Sequence, residues 1–227
     1  MKLSPRLKAV SDAVGNCEIL ADVGTDHGYV PVYMLENQLC KKAYASDIRE
    51  QPLSRAASTI RENGLEDKAF TYLSNGILDI PEDYDALVIA GMGGETIVSI
   101  LEAKEPPKNA KLVLQPMTEE QTLRQYLYTH GYKIVAEKAV SEPGHVYTVI
   151  TAICQHTESF CYRDILASPA FCSQKSADAE AYIMKHIRKA TRVLEGLKNA
   201  AEPRLKTISE TEKEIEELHN ILQDVKI

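Results

Sequence analysis

Two acids and two glycines stand within seven residues in the stretch Asp22-Val23-Gly24-Thr25-Asp26-His27-Gly28, and Tyr29 follows at once. The short apolar run Ile19 to Ala21 leads into it, so the stretch reads as a buried strand feeding a nucleotide-type cofactor loop. Gly24 permits a sharp reversal and Gly28 a close approach of the next helix, the roles glycines play in the first turn of a doubly wound sheet. The pattern lacks the middle glycine of the dinucleotide fingerprint. A pyrophosphate needs bare backbone N–H groups at a helix start, and the carboxylates of Asp22 and Asp26 would repel it. S-adenosyl-L-methionine carries no phosphate and presents a sulfonium and an ammonium, which the same acids attract. These residues therefore favour it over NAD. The alternative for Asp26 is that it only satisfies backbone donors in a tight turn.

A second acid supports an adenosine ligand. Asp47 ends the run Ala43 to Asp47, 23 residues after Gly24. An acid at the end of the second strand, about 20 residues beyond the glycine turn, can accept hydrogen bonds from both ribose hydroxyls. Asn75, before Gly76 at the end of Ala69 to Leu73, can meet the edge of an adenine or serve as a plain turn residue. The strongly apolar run Tyr84 to Ala90 then enters Gly91-Met92-Gly93-Gly94. Three glycines in four residues at a strand's carboxyl end favour close approach of a ligand over helix packing. No Asp/Asn-Pro-Pro-aromatic cluster follows, which disfavours methylation of an exocyclic amine.

The positioning elements alternate. Helices are predicted over 3–14, opened by Ser4-Pro5, then over 30–38, 51–63 and 95–103, and over 118–130, where Thr118-x-x-Gln121 reads as a capping box and Gly131 as the stop. Strands interleave with them, and two more, 132–140 and 145–154, close the unit as an antiparallel pair around Ser141-Glu142-Pro143-Gly144. The expected fold is α/β, a Rossmann-like, mostly parallel seven-stranded sheet of the class I methyltransferase type. Past residue 155 the spacing becomes helical: Ile183, Ile187, Ala190, Leu194, Leu197 and Ala201, then Ile208, Ile215, Leu218, Leu222 and Val225. This predicts a coiled-coil hairpin turning near Ala201-Glu202-Pro203. Two domains follow, 1–155 for the cofactor and 156–227 as a helical arm. Since the sheet and both glycine turns precede residue 155, a chain ended there is expected to fold and bind cofactor.

At 227 residues, 44% of them hydrophobic, the chain can build one full core and an appendage. It shows no signal-peptide pattern and no apolar run of spanning length, so a cytoplasmic protein without a membrane partner is expected. Its five cysteines form no C-x-x-C pair, which argues against a zinc site and a disulfide framework; no metal is expected. The net charge of −7 disfavours a nucleic-acid partner until it is divided. Residues 175–206 carry 8 Lys and Arg against 4 acids, whereas 207–227 carry 2 against 6. The basic stretch includes Lys185, Arg188, Lys189, Arg192 and Lys198, a candidate footprint for phosphates, although two solvated helix faces pairing with each other would look the same.

Asp22 to Pro31, Ile89 to Gly94 and Leu114-Gln115-Pro116 together resemble the bacterial tRNA (adenine(22)-N1)-methyltransferases, whose pattern joins D-x-G-[ST]-D-H-[AG]-Y-[LV]-P, I-A-G-M-G-G and L-Q-P. The resemblance covers residues 3–154, and the tail matches in layout. It implies cofactor contacts from Asp22, Gly24, Thr25, His27, Gly28, Asp47, Asn75, Gly76, Gly91 and Met92, and a tRNA substrate; a monomer or weak homodimer is expected. Asp47 stands where the family often has Glu, Met117 where Asn usually follows, and His145 where Lys is common, with Tyr147 retained.

N1 of adenine has an in-plane lone pair, so in-line methyl transfer needs no prior deprotonation and positioning does most of the catalysis. The product ring is briefly cationic. Asp26 is the candidate to stabilise that charge, and Tyr29 the candidate surface for stacking the base. Because N1 is buried in paired regions, the adenine must be unpaired or flipped. Two other classes stay open: a small-molecule methyltransferase whose tail is a dimerisation arm, favoured by the net charge, and a catalytically silent partner protein that binds S-adenosylmethionine.

Overall fold

The computed structural model describes residues 1–157, 159–200 and 204–227. Seven strands, β1 (Ile19–Val23), β2 (Lys42–Asp47), β3 (Ala69–Leu73), β4 (Ala86–Gly93), β5 (Lys111–Thr118), β6 (Tyr132–Glu142) and β7 (His145–Cys154), form one sheet in the order β3-β2-β1-β4-β5-β7-β6. The first five are parallel, and β7 pairs antiparallel with both β5 and β6. Strand order reverses between β1 and β4, where open sheets of this kind bind ligands at their carboxyl ends.

Two-residue periodicity divides the core. Ala21, Val23, Leu87, Ile89, Leu112 and Leu114 face one cluster, under α4 (Gly94–Ala103) and α5 (Glu120–Thr129). Leu20, Ala86, Val88 and Val113 face the other, under α1 (Pro5–Val14), α2 (Tyr29–Glu36) and α3 (Glu50–Glu62). Strands buried on both faces explain the unbroken apolar runs in the sequence. Helix α1 starts as expected: Pro5 takes the first position and Ser4 Oγ accepts from the Leu7 N–H at 3.4 Å.

One local expectation is overturned. Thr118 does not cap α5, because it still belongs to β5, paired with Gly93. The cap position is Glu119, held at φ 55° with no side-chain cap. Gly94 presses on the Glu119 carbonyl so closely that a Cβ there would collide with it, and this contact sets the turn. Gln121, the other half of the supposed box, donates instead to Glu214 at 3.0 Å.

The tail comprises two short helices, α6 (Tyr162–Leu166) and α7 (Pro169–Cys172), which the spacing did not foretell, and a long pair, α8 (Ala177–Lys198) and α9 (Leu205–Val225). The pair is antiparallel: Lys198 meets Glu212 at one end, and the Ile227 N–H reaches Glu180 at the other. The predicted joint at 201–203 lies outside the described residues. Ile183, Ile187, Ala190, Leu218, Leu222 and Val225 are buried as expected, but their cluster also contains Ala139 of β6 and Val146 of β7.

Charge ties the tail in as well. Arg124 on α5 and Glu137 on β6, both with fully buried side chains, pair at 2.6 Å. Arg124 also donates to the Ile165 and Leu166 carbonyls and to Tyr182 Oη, at 3.1, 2.9 and 3.0 Å. A chain ended at 155 would uncover Ala139, Val146 and the Arg124–Glu137 pair that the tail covers, which bears on the expectation that it folds alone. No disulfide joins the five cysteines. Among the described residues no helix is long and apolar enough to cross a membrane, and no cluster of three metal-ligating side chains occurs.

Candidate cofactor and substrate site

A cavity of about 330 Å³ opens where strand order reverses, lined by Asp22, Gly24, Thr25, Asp26, His27, Gly28, Tyr29 and Gly91, with Arg6 and Leu7 of α1 on its wall. The loop after β1 is pinned to β2, since the Gly24 and Thr25 N–H groups donate to the Ser46 carbonyl at 2.8 and 2.9 Å. Gly24 has φ 77° and lies so close to Met92 Cε that a Cβ would collide with it, so Met92 joins the two glycine turns from below. Gly28, at φ 67°, starts α2 without any side-chain cap, 3.3 Å in Cβ terms from Ala56, and leaves the first N–H groups of that helix unmet by a side chain.

The electrostatics suit a cationic ligand with hydroxyls. Asp22 is buried, and burial pushes its carboxyl up to about 6. Beside it Thr25 Oγ1 is buried without a hydrogen-bond partner among the described residues. Asp47, one strand away and 7% exposed, accepts the Arg49 N–H through Oδ1 at 2.8 Å, and Arg49 Nε lies 3.8 Å from the same oxygen. An ammonium at Asp22 and ribose hydroxyls at Asp47 would satisfy these groups, so the residues fit S-adenosylmethionine.

Asp22 gives this fit a pH signature. As pH falls below about 6, Asp22 takes up a proton and loses its attraction for an ammonium, so affinity for S-adenosylmethionine should fall by up to about tenfold per pH unit. Calorimetry between pH 5 and 7 checks this. Asp22→Asn should bind weakly with no such slope, and a flat wild-type profile would remove Asp22 from the ammonium.

Other predicted residues are placed differently. Asp26 is more than half exposed and paired with Arg55 of α3, whose Nε lies at 3.1 Å; His27 Nε2 lies 3.4 Å from its other oxygen. The Arg55 hydrogen bond holds the Asp26 carboxyl below the usual range. Tyr29 is 41% exposed, its ring stacked on His27 at 5.0 Å and 8°, a flat surface at the mouth of the cavity. Asn75 is exposed at the end of β3, outside this cavity, while Gly76 is buried against Ile100 of α4. Of the glycines in the second turn Gly91 lines the cavity, whereas Gly93 and Gly94 pack on Thr118 and Glu119. A register shift after Ala90 re-aims Gly91.

Sequence reasoning missed Arg6 and Gln115. Gln115 is fully buried, and its Oε1 accepts from Arg6 Nη1 at 2.7 Å and from the Gly91 N–H at 3.1 Å. Arg6 was one polar residue on a helix face, and nothing in its neighbours signals a contact 109 residues away.

The basic residues of α8 divide. Arg188, Lys189 and Arg192 are exposed and form no ion pair among the described residues, whereas Lys198 pairs with Glu212 and Lys185 donates to the Val146 carbonyl at 3.2 Å. Lys185 and Arg188 share a groove with Glu142 and His145 of the β6–β7 turn. Glu142 in turn accepts the Arg6 backbone N–H at 2.9 Å, so the groove adjoins the wall of the cavity.

A mostly parallel sheet in this order, with an acid-flanked glycine turn at its switch point, defines a class I methyltransferase. The chain belongs to the Methyltransf_18 family of methyltransferase domains, whose pattern matches residues 3–150. It is similar to the tRNA (adenine(22)-N(1))-methyltransferase of Bacillus subtilis (strain 168), with 32% identity over 155 residues, 67% of this chain and 65% of that protein, just under two thirds of its length. The crystal structure of the B. subtilis m1A22 tRNA methyltransferase TrmK superposes with a TM-score of 0.89 at 27% identity, over 97% of this chain and 99% of that one. M. capricolum TrmK, solved with the cofactor product S-adenosyl-homocysteine, superposes over 100% of both chains with a TM-score of 0.85 at 27% identity.

Proposed function

We propose that this protein transfers the methyl group of S-adenosyl-L-methionine to N1 of an adenine in tRNA, the adenine at position 22. The observation that carries the reading is the acid-flanked cavity at the switch point of a fold that matches m1A22 methyltransferases from cofactor domain to tail. Bound cofactor supplies an electrophilic methyl on its sulfonium. Asp22 and Asp47 hold its ammonium and ribose, and the uncapped start of α2 leaves the turn open to it. Tyr29, stacked on His27, offers its ring to the adenine, and Asp26 stands beside it to stabilise the cationic product ring. Residues 1–155 carry this chemistry, and 156–227 present Arg188, Lys189 and Arg192 to the body of the tRNA, along a groove that leads back toward Arg6. The protein works in the cytoplasm as a monomer or weak homodimer, without a metal.

Mass spectrometry of nucleosides from unmodified tRNA incubated with the protein and S-adenosylmethionine tests the reading: 1-methyladenosine at one position is expected, and its absence with the cofactor bound would overturn it. Asp26→Asn should lower kcat more than cofactor affinity, because its role is on the reacting base. Calorimetry and single-turnover rates separate the two effects. A parallel fall would make Asp26 a cofactor ligand alone.

A further inference from the structure

We propose that Cys17 and Cys40 are a peroxide-reactive dithiol, which closes to a disulfide on meeting a hydroperoxide and staples the segment that carries the glycine turn. Neither thiol takes part in cofactor or tRNA handling, and both rest as free thiols, the state a reducing compartment maintains.

Backbone pairing brings the two together. Strands β1 and β2 run parallel with Ile19 opposite Lys42, and the same offset two residues upstream sets Cys17 opposite Cys40. Hydrogen bonds carry the pairing past the strand ends: the Cys17 N–H donates to the Leu39 carbonyl at 2.9 Å, and the Lys41 N–H to the Glu18 carbonyl at 3.0 Å. Neighbouring strands lie about 4.8 Å apart, within the roughly 4.4–6.8 Å between α-carbons that a disulfide spans. Both side chains turn to one face of the sheet, into the cluster under α1, α2 and α3, and the thiols are hydrogen-bonded to each other.

The pair is asymmetric in the way a two-step oxidation needs. Cys17 is half-buried and can be reached, whereas Cys40 is 6% exposed. The hydrogen bond from Cys40 holds the Cys17 thiol below its usual range, against burial and the Asp85 and Glu18 carboxylates and with help from the Lys111 ammonium. The same bond, together with burial, pushes the Cys40 thiol up. Cys17 is therefore the nucleophile and Cys40 the resolving thiol. The Cys17 thiolate attacks one peroxide oxygen and the O–O bond breaks, leaving a sulfenic acid and an oxyanion that takes up the proton Cys17 lost. The Cys40 sulfur then attacks the sulfenic sulfur, the S–O bond breaks, and the hydroxyl leaves as water with the Cys40 proton. Two thiols lose two electrons, and hydrogen peroxide is reduced to two waters.

The bond closes a loop that holds β1, the whole turn from Asp22 to Gly28, and α2. Cross-linking its ends restricts the unfolded chain, so the oxidised protein holds this segment more firmly. The cysteines stand at the amino ends of β1 and β2, and the switch-point cavity opens at the carboxyl ends, so the staple leaves the cavity lining in place.

The test titrates the reduced full-length protein with hydrogen peroxide near neutral pH, blocks the remaining thiols with N-ethylmaleimide under denaturing conditions, and maps peptides by mass spectrometry without reduction. A linked Cys17–Cys40 peptide pair is expected at lower peroxide than oxidises the exposed Cys154 and Cys161. Tm should rise by roughly 5–10 °C with the link and return with dithiothreitol. Cys40→Ser should stop at a Cys17 sulfenic acid that dimedone traps, and Cys40→Ala carries this arm if the serine variant fails to fold. Cys17→Ser should form no link and leave Cys40 a thiol. The assignment is overturned if Cys17 and Cys40 both remain thiols while Cys154 and Cys161 oxidise, if Cys17 of the wild type passes to a sulfinic acid without a link, or if the link forms and Tm does not rise.

Discussion

Replacing Glu137 by Ala is expected to destabilise the fold by about 3–5 kcal/mol, because it leaves the Arg124 guanidinium buried without its counter-charge. Both side chains are fully buried, so solvent cannot make up the loss. For a chain of this length that amounts to a fall in Tm of roughly 6–20 °C. The pair sits in a satisfied network: Thr148 Oγ1 donates to Glu137 at 2.8 Å, and Tyr182 and two carbonyls of the α6 region take the remaining Arg124 donors. Burial alone would raise the Glu137 carboxyl, but Arg124 outweighs it and holds the group below its usual range. The stability from this pair is therefore present above the unfolded value near pH 4.3 and lost as pH falls through the lower folded value. Urea melts at pH 7 measure the loss. A change under 1 kcal/mol would show that the pair is not the buried tie between sheet and tail. Replacing both partners by Met and Leu should recover part of the stability, since no charge then remains to be compensated while the Ile165 and Leu166 carbonyls lose their donor. The same network predicts that a chain ended at residue 155 melts far below the whole protein.

The second large effect is expected on the substrate. Changing Arg188, Lys189 and Arg192 together to Ala should cut methylation of tRNA at limiting substrate by about an order of magnitude or more, and flatten the salt dependence of binding by roughly 2–3 units of slope if each meets one phosphate. These side chains are exposed and unpaired among the described residues, so stability should change little. Cofactor affinity should stay as it is, because none of them lines the switch-point cavity. Unchanged methylation and salt slope would return the tail to the dimerisation or partner-surface readings that the composition left open.

Much of this protein was written in short-range pattern. The strands, the reversal at Gly24, the acid at Asp47 and the helix pair at 183–225 depend on periodicity and on glycine's freedom at positive φ, both local properties. Asp22 and Gly28, which line the cavity, could be picked out in advance because the chemistry of the turn is contained in the seven residues that form it. What tertiary structure decided were contacts between residues far apart in the chain. Thr118 looked like a cap until pairing with Gly93 held it in β5. Gly93 and Gly94 looked open to a ligand until Thr118 and Glu119 filled the space beside them. Arg6 became part of the site only through Gln115, and Arg124 became a buried cation only through Glu137 and the tail. A charged residue gives no sign in sequence of whether it faces water or a partner, because its environment is made by elements that meet only on folding.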